Sequence, residues 1–226
     1  MALYGKAMLI NWSNVADEHR SQYYQWHDRE HMEGRLRLPG FKRGRRFWAE
    51  EADRDVLNIY EVDDLDILTG PDYSKKASSP SPAYKSAGKI ITDAIRALAN
   101  VHFTSGSASG ARILTVRFEL GEGSHAQALV DSLIPRLGDV EGVVSVHLCV
   151  ADHDASSVLT ADRVGRPTDV PAWSLLVEAT IPEALARCRA QYLSKEQLES
   201  YGCVGPFAFG TYLLQMSMTK QDLGLA

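Results

Sequence analysis

Apolar positions along this chain fall into short strand-like runs and longer spans at helical spacing, and the order of the two kinds repeats once. The run over 7–12 is apolar and stops at Ser13-Asn14, a strand ended by turn residues. A long polar helix follows from Asp17, which is placed to cap it, through Tyr23, Tyr24, Trp26, His27, His31 and Leu36 to the breaker Pro39-Gly40. Strands are predicted over 41–48 and 55–62, a loop over 70–82, a helix over 83–99 and a strand over 101–105. The helix rests on Ile90, Ile91, Ala94, Ile95 and Leu98, which lie near helical spacing.

The second half repeats this β-α-β-β-α-β order, with strands over 111–120, 143–151, 172–180 and 207–218 and helices over 124–137 and 182–199. Gly142 takes the place of Gly40, and Val177-Glu178-Ala179 that of Tyr60-Glu61-Val62. The pattern predicts an α+β chain of two tandem ferredoxin-like βαββαβ repeats, 1–106 and 107–226, joined by the polar linker Gly106-Ser107-Ala108-Ser109-Gly110. Several strands are apolar on both parities, as in Met8, Ile10 and Trp12 alternating with Leu9. Both sheet faces are therefore expected to be covered, one by helices and the other by the sheet of the other half, closing a barrel-like pseudo-dimer.

Composition narrows the function classes. In 226 residues, 45% hydrophobic and 23% charged, the mixture is that of a globular protein with a sizeable core, and it excludes disorder or a coiled coil as the main character. A net charge of −5 gives no support to phosphate-driven nucleic-acid binding. The basic run from Lys42 through Arg43, Arg45 and Arg46 alternates across a strand, so only part of its charge shares a face. Cys149, Cys188 and Cys203 form no CxxC pair, and no stretch reaches the ~18 apolar residues of a membrane span. With no secretory signal pattern at Met1, a cytoplasmic location is expected.

His27 and His31 lie four apart, on one face of a helix rich in aromatic residues. Such a pair could hold a metal with Asp28, Glu30 or a loop histidine as a third ligand, but the His-Glu-x-x-His arrangement is missing, and the reading is no metal. Acid–base chemistry suits an imidazole equally. Packing is the bland alternative for both. Asn11, Trp12, Tyr60, Arg45, Arg46 and Trp48, on the first three strands, are candidates to line a substrate pocket. His147, Thr115, Arg117, Glu178 and Tyr212 are weaker candidates of the second half.

A helix carrying Trp26-His27 and His31 and ending in Pro39-Gly40-Phe41 before a β-hairpin resembles the dimeric α+β barrel superfamily, and specifically its EthD-like members. The resemblance covers the architecture of both halves but the motif only of the first, so a histidine-based site is single. It points to His31 as the family histidine facing a cleft between helix and sheet. It implies a cofactor-independent enzyme, a lyase or isomerase working by proton transfer in aromatic compound catabolism. His31, Tyr60 and His27 would be catalytic there, with Asn11, Trp12, Arg45, Arg46 and Trp48 holding a small hydrophobic or aromatic molecule. A cofactor-free monooxygenase and a non-catalytic binding protein are the alternatives. Haem is not expected, since 83–99 contains no histidine, and no nucleotide-binding motif is present. A homodimer is expected from remaining sheet edges or helix faces, and the charged segment 152–170, with His153, is expected as a solvated lid over one mouth of the barrel.

Overall fold

The computed structural model describes residues 2–79, 81–158 and 170–225. The first half runs from strand β1 (Ala7–Val15) through a short 3₁₀ turn into helix α1 (Arg20–Trp26), a π-helical turn His27–His31 and helix α2 (Met32–Leu36). Gly40, at φ 77°, closes this helical segment in the left-handed region that glycine tolerates. Strands β2 (Phe41–Ala52) and β3 (Val56–Val62), helices α3 (Asp66–Thr69), α4 (Pro71–Ser78) and α5 (Pro82–Ala87), and strand β4 (Ile91–Gly106) follow.

The second half repeats the plan with β5 (Arg112–Leu120), a π turn Leu129–Leu133, α6 (Ile134–Gly138), Gly142 at φ 94° and β6 (Val143–Ala151). It continues with α7 (His153–Ser157), β7 (Trp173–Ala179), α8 (Pro182–Tyr192), α9 (Lys195–Ser200) and β8 (Cys203–Thr219). Each half forms an antiparallel sheet, in the orders β4-β1-β3-β2 and β8-β5-β7-β6. The pairs β2–β8 and β4–β6 join the two sheets into one closed barrel. The length of β4 and β8 makes closure possible: β4 pairs with β1 from Ile91 to Asn100 and with β6 from Ala99 to Gly106.

Strand alternation then sorts the side chains. Met8, Ile10, Trp12, Phe47, Leu57, Ile59, Ile113, Leu176 and Tyr212 pack inside the barrel, whereas Leu9, Tyr60 and Val62 face the helices of the first half. No helix of the described residues is long and apolar enough to cross a membrane.

Several expected elements differ. The helix over 83–99 is only α5, and Ile91 onward is strand: Ile95, Ala97 and Ala99 face the barrel while Leu98 faces the helices, so a strand buried on both faces imitates helical spacing. The loop over 70–82 contains α4, with Pro71 at its first turn. Asp17 does not cap the first helix but pairs with Arg20 at 2.9 Å. The helix over 182–199 breaks before Ser194, which starts α9 with a capping box. Segment 152–170 is not wholly solvated. Its α7 buries Ala155 and Ser156, and the Ser156 hydroxyl accepts from the Leu98 N–H at 2.9 Å. Of the lid expected over 152–170, residues 159–169 lie outside the described residues.

Candidate functional site

A cavity of about 80 Å³ lies between the outer face of the first sheet and its helices. That is several times the ~10–15 Å³ a single water needs. Its floor is set by strand register. Asn11 of β1 stands between Asn58 of β3 and Arg96 of β4, and Arg46 of β2 extends the same row beyond Asn58. The neighbouring row runs Leu98, Leu9, Tyr60 and Gly44. Gly44 leaves room there for Met32, whose sulfur occupies the space a Cβ would take. The roof is aromatic, with Tyr23, Trp26, His27 and His31 from the first helical segment, Tyr73 from α4 and Tyr84 from α5. The π turn spans His27 to His31, a local widening common at functional sites.

His27 is fixed on both nitrogens. Arg46 Nη1 lies 3.2 Å from its Nδ1, and Tyr60 Oη lies 3.2 Å from its Nε2. A guanidinium only donates, so Nδ1 must accept, and the ring proton sits on Nε2 and is donated to the Tyr60 oxygen. The Tyr60 hydroxyl keeps its own proton free to donate. Burial, and then the charge of Arg46, hold the His27 pKa well below its ordinary value. Burial likewise pushes the Tyr60 phenol above its ordinary value, so it stays protonated. Asp28 pairs with Arg46 from the outer side.

His31 differs. It packs against Trp26, ring centroids 4.3 Å apart, and presents an edge-on contact to Tyr60 at 6.0 Å. Neither of its ring nitrogens has a hydrogen-bond partner among the described residues. Burial, then Arg35, His27 and Lys76, lower its pKa well below the usual value, so it is a neutral imidazole with an available lone pair. With both His27 nitrogens engaged, the pair is not arranged to share a metal, and no group of three His, Cys, Asp or Glu side chains converges among the described residues.

The expected site residues thus separate into two sets. His27, His31, Tyr60 and Asn11 meet in the cavity, and Arg46 reaches it through His27. Trp48 lies behind the roof, with the Arg20 guanidinium 4.3 Å from its ring. Trp12 and Arg45 point the other way, into the barrel. Trp12 packs under Arg117, while Arg45 donates to Glu178 at 2.8 Å. His147 lies 3.4 Å from the same carboxylate, so the weaker second-half candidates His147 and Glu178 sit together with Arg45 in a buried polar cluster. Burial alone would raise the Glu178 pKa, but His147 and Arg45 outweigh it and hold it at about 2.

The sequence reading missed Arg96, Asn58, Arg35, Tyr73 and Tyr84. Arg96 fell in the stretch assigned to a helix, and Tyr73 in the stretch assigned to a loop. A strand reading of 91–106 would have placed Arg96 on the face of Leu98.

The same locus in the second half is filled. Counting from the matching π turns and glycines, Leu129 and Leu133 stand where His27 and His31 stand, and Leu148 where Arg46 does. Counting back from Glu61 and Glu178, Val177 replaces Tyr60 and Leu175 replaces Asn58. All five are core residues of the second half. The expectation of a single histidine-based site rests on the helix over 124–137 containing no histidine, which the sequence itself corrects. His125 does fall in that range, but it is exposed and precedes the π turn.

The barrel closed by two four-stranded sheets, with helices outside and one cleft under a helix, is the dimeric α+β barrel fold built within one chain. No protein-family model matches the sequence, and no curated protein matches it. Solved structures do. An anthrone oxidase-like protein superposes with a TM-score of 0.65 at 14% identity, over 97% of this chain and 95% of that one. A candidate monooxygenase from Fusobacterium nucleatum gives 0.59 at 12% identity over 96% of both chains, and one from Lactobacillus acidophilus 0.57 at 13% over 95% and 96%. At these identities the likeness establishes the fold.

Proposed function

We propose that this protein is a cofactor-independent enzyme that removes a proton from a small aromatic molecule bearing a carbonyl or phenol, within the cavity of the first half. One observation carries the reading: an unpartnered neutral imidazole, His31, faces the same aromatic cavity as Tyr60, a hydroxyl whose proton is free because His27 donates to its oxygen. His31 takes the proton from an acidic C–H or O–H. The electron pair moves onto the substrate oxygen, which Tyr60 meets with a hydrogen bond. Arg46 and His27 are positioning residues, since they act only through Tyr60.

Return of the proton to another carbon gives an isomerase, and loss of a leaving group from the carbanion gives a lyase. A second reading draws on the likeness to the anthrone oxidase-like protein: the carbanion reduces dioxygen, so that R₂CH₂ + O₂ gives R₂C=O + H₂O. The Trp26-His27 and Pro39-Gly40-Phe41 motif supports placement among EthD-like members within the superfamily.

The test uses anthrone and a panel of aryl ketones and phenols in D₂O. Without oxygen, the enzyme should exchange the acidic C–H of a bound member for deuterium; in air, oxygen uptake reports the second reading. His31→Ala should bind the same compound and lose exchange at least a hundredfold, on the scale of general base catalysis. Exchange at the wild-type rate in His31→Ala would remove the assignment, and binding without exchange by the wild type would leave a binding protein. A homodimer belongs to the proposal too, through helix faces, because the closed barrel leaves none of its eight strands with the free edge expected from the sequence. Sedimentation should read about twice the 24.9 kDa chain mass, and because the barrel closes within one chain, dilution should separate the copies without unfolding them.

A further inference from the structure

Arg96 is the exception among the buried arginines of the sheets. Arg43, Arg45, Arg46 and Arg117 are each 6% exposed or less, and each has a carboxylate partner: Glu61, Glu178, Asp28 and Asp53. Arg96 is 7% exposed and has none among the described residues. Its one hydrogen bond is from Nη2 to the Ser156 carbonyl at 3.4 Å, and its buried Nε finds no acceptor. A buried cation without a counter-charge is strongly disfavoured unless something outside the fold supplies that charge.

The surroundings point to what supplies it. Among its described residues the cavity lining contains the Arg96 cation and no aspartate or glutamate. Asn11, directly opposite Arg96 in the β1–β4 register, makes no side-chain hydrogen bond with any described residue. Ser13 Oγ and Trp26 Nε1, in the same lining, are buried without partners. Donors therefore outnumber acceptors on this wall, and the remaining wall is aromatic. A guanidinium fork matches the two oxygens of a carboxylate, which an amide such as Asn11 can support from the side.

We propose that Arg96 and Asn11 form a subsite for the carboxylate of an aromatic carboxylic acid, with its ring among Trp26, Tyr73 and Tyr84. The Ser156 carbonyl of α7 holds the guanidinium from behind, so α7 positions Arg96. This deepens the proposed function by naming the substrate class, and it rests on that reading only in placing the ligand in the same cavity.

Calorimetric titration of the full chain with 2-naphthoate and its neutral isostere 2-naphthamide tests it. Wild type should bind the carboxylate about tenfold or more tightly than the amide, the scale of a hydrogen bond to a charged group. Arg96→Gln should abolish that preference while changing naphthamide affinity less than about twofold, and its melting temperature should hold or rise as the unpaired charge goes. Should that variant fail to fold, Asn11→Leu takes its place, with an expected loss of about threefold or more for the carboxylate alone. Preference retained in the folded variant, no preference in the wild type, or no binding of naphthoate at millimolar concentration overturns the subsite. His31→Ala separates the two proposals: it should lose proton exchange yet keep the full carboxylate preference, whereas exchange at the wild-type rate in that variant would sink the catalytic reading and leave the subsite standing.

Discussion

Arg46 Nη1 lies 3.2 Å from Nδ1 of His27, and this contact decides where the His27 proton resides. With the guanidinium donating to one nitrogen, the other must carry the hydrogen that reaches Tyr60. Imidazole ¹⁵N spectra should therefore show His27 as the neutral Nε2–H form at neutral pH. In Arg46→Met its pKa should rise, though burial, the larger cause, will keep it below the usual value. A protonated His27 at neutral pH in the wild type would contradict the assignment.

Stability should depend on pH through the same pair. Both His27 and His31 have folded-state pKa values below the ~6.5 of an unfolded chain, so below that pH the unfolded state binds more protons. Stability is fully present above about 6.5 and declines as pH falls toward the folded values, by at most about 1.4 kcal/mol per pH unit for each histidine. Urea unfolding at pH 7 and pH 5 should show the decline, and His31→Gln should reduce its slope. The acid limb of any His31-dependent activity should lie below pH 6.5 for the same reason.

Arg45 serves the barrel and not the cavity. Arg45→Met leaves Glu178 in the interior without its 2.8 Å partner, and a loss of about 3–5 kcal/mol is expected from chemical denaturation. Ligand affinity in the folded variant should be unchanged. A selective loss of binding at constant stability would return Arg45 to the site.

The Ser156 hydroxyl ties helix α7 to β4. Ser156→Ala strands the Leu98 N–H, which the Ser156 hydroxyl meets at 2.9 Å, and should cost about 1–3 kcal/mol. Faster hydrogen exchange at the Leu98 amide would accompany it, and unchanged protection there would show that α7 does not hold the strand.

The sequence by itself determined the repeated β-α-β-β-α-β order and the barrel. Strands apolar on both parities, such as Met8, Leu9 and Ile10, have two faces to bury, and only a second sheet plus a helical layer satisfies both. It also determined the grouping of His27 and His31, because helical spacing is a local property. Tertiary structure decided the rest. Whether Arg45 or Arg46 faces the cavity depends on a parity set by pairing with β3 and β8, and a one-residue slip would exchange them. Whether 91–99 is helix or strand depended on β1 and β6 supplying partners for its backbone, since its spacing of isoleucine, alanine and leucine suits either. That same pairing placed Arg96 opposite Asn11, at a sequence distance no local pattern spans, and so created the charged end of the cavity.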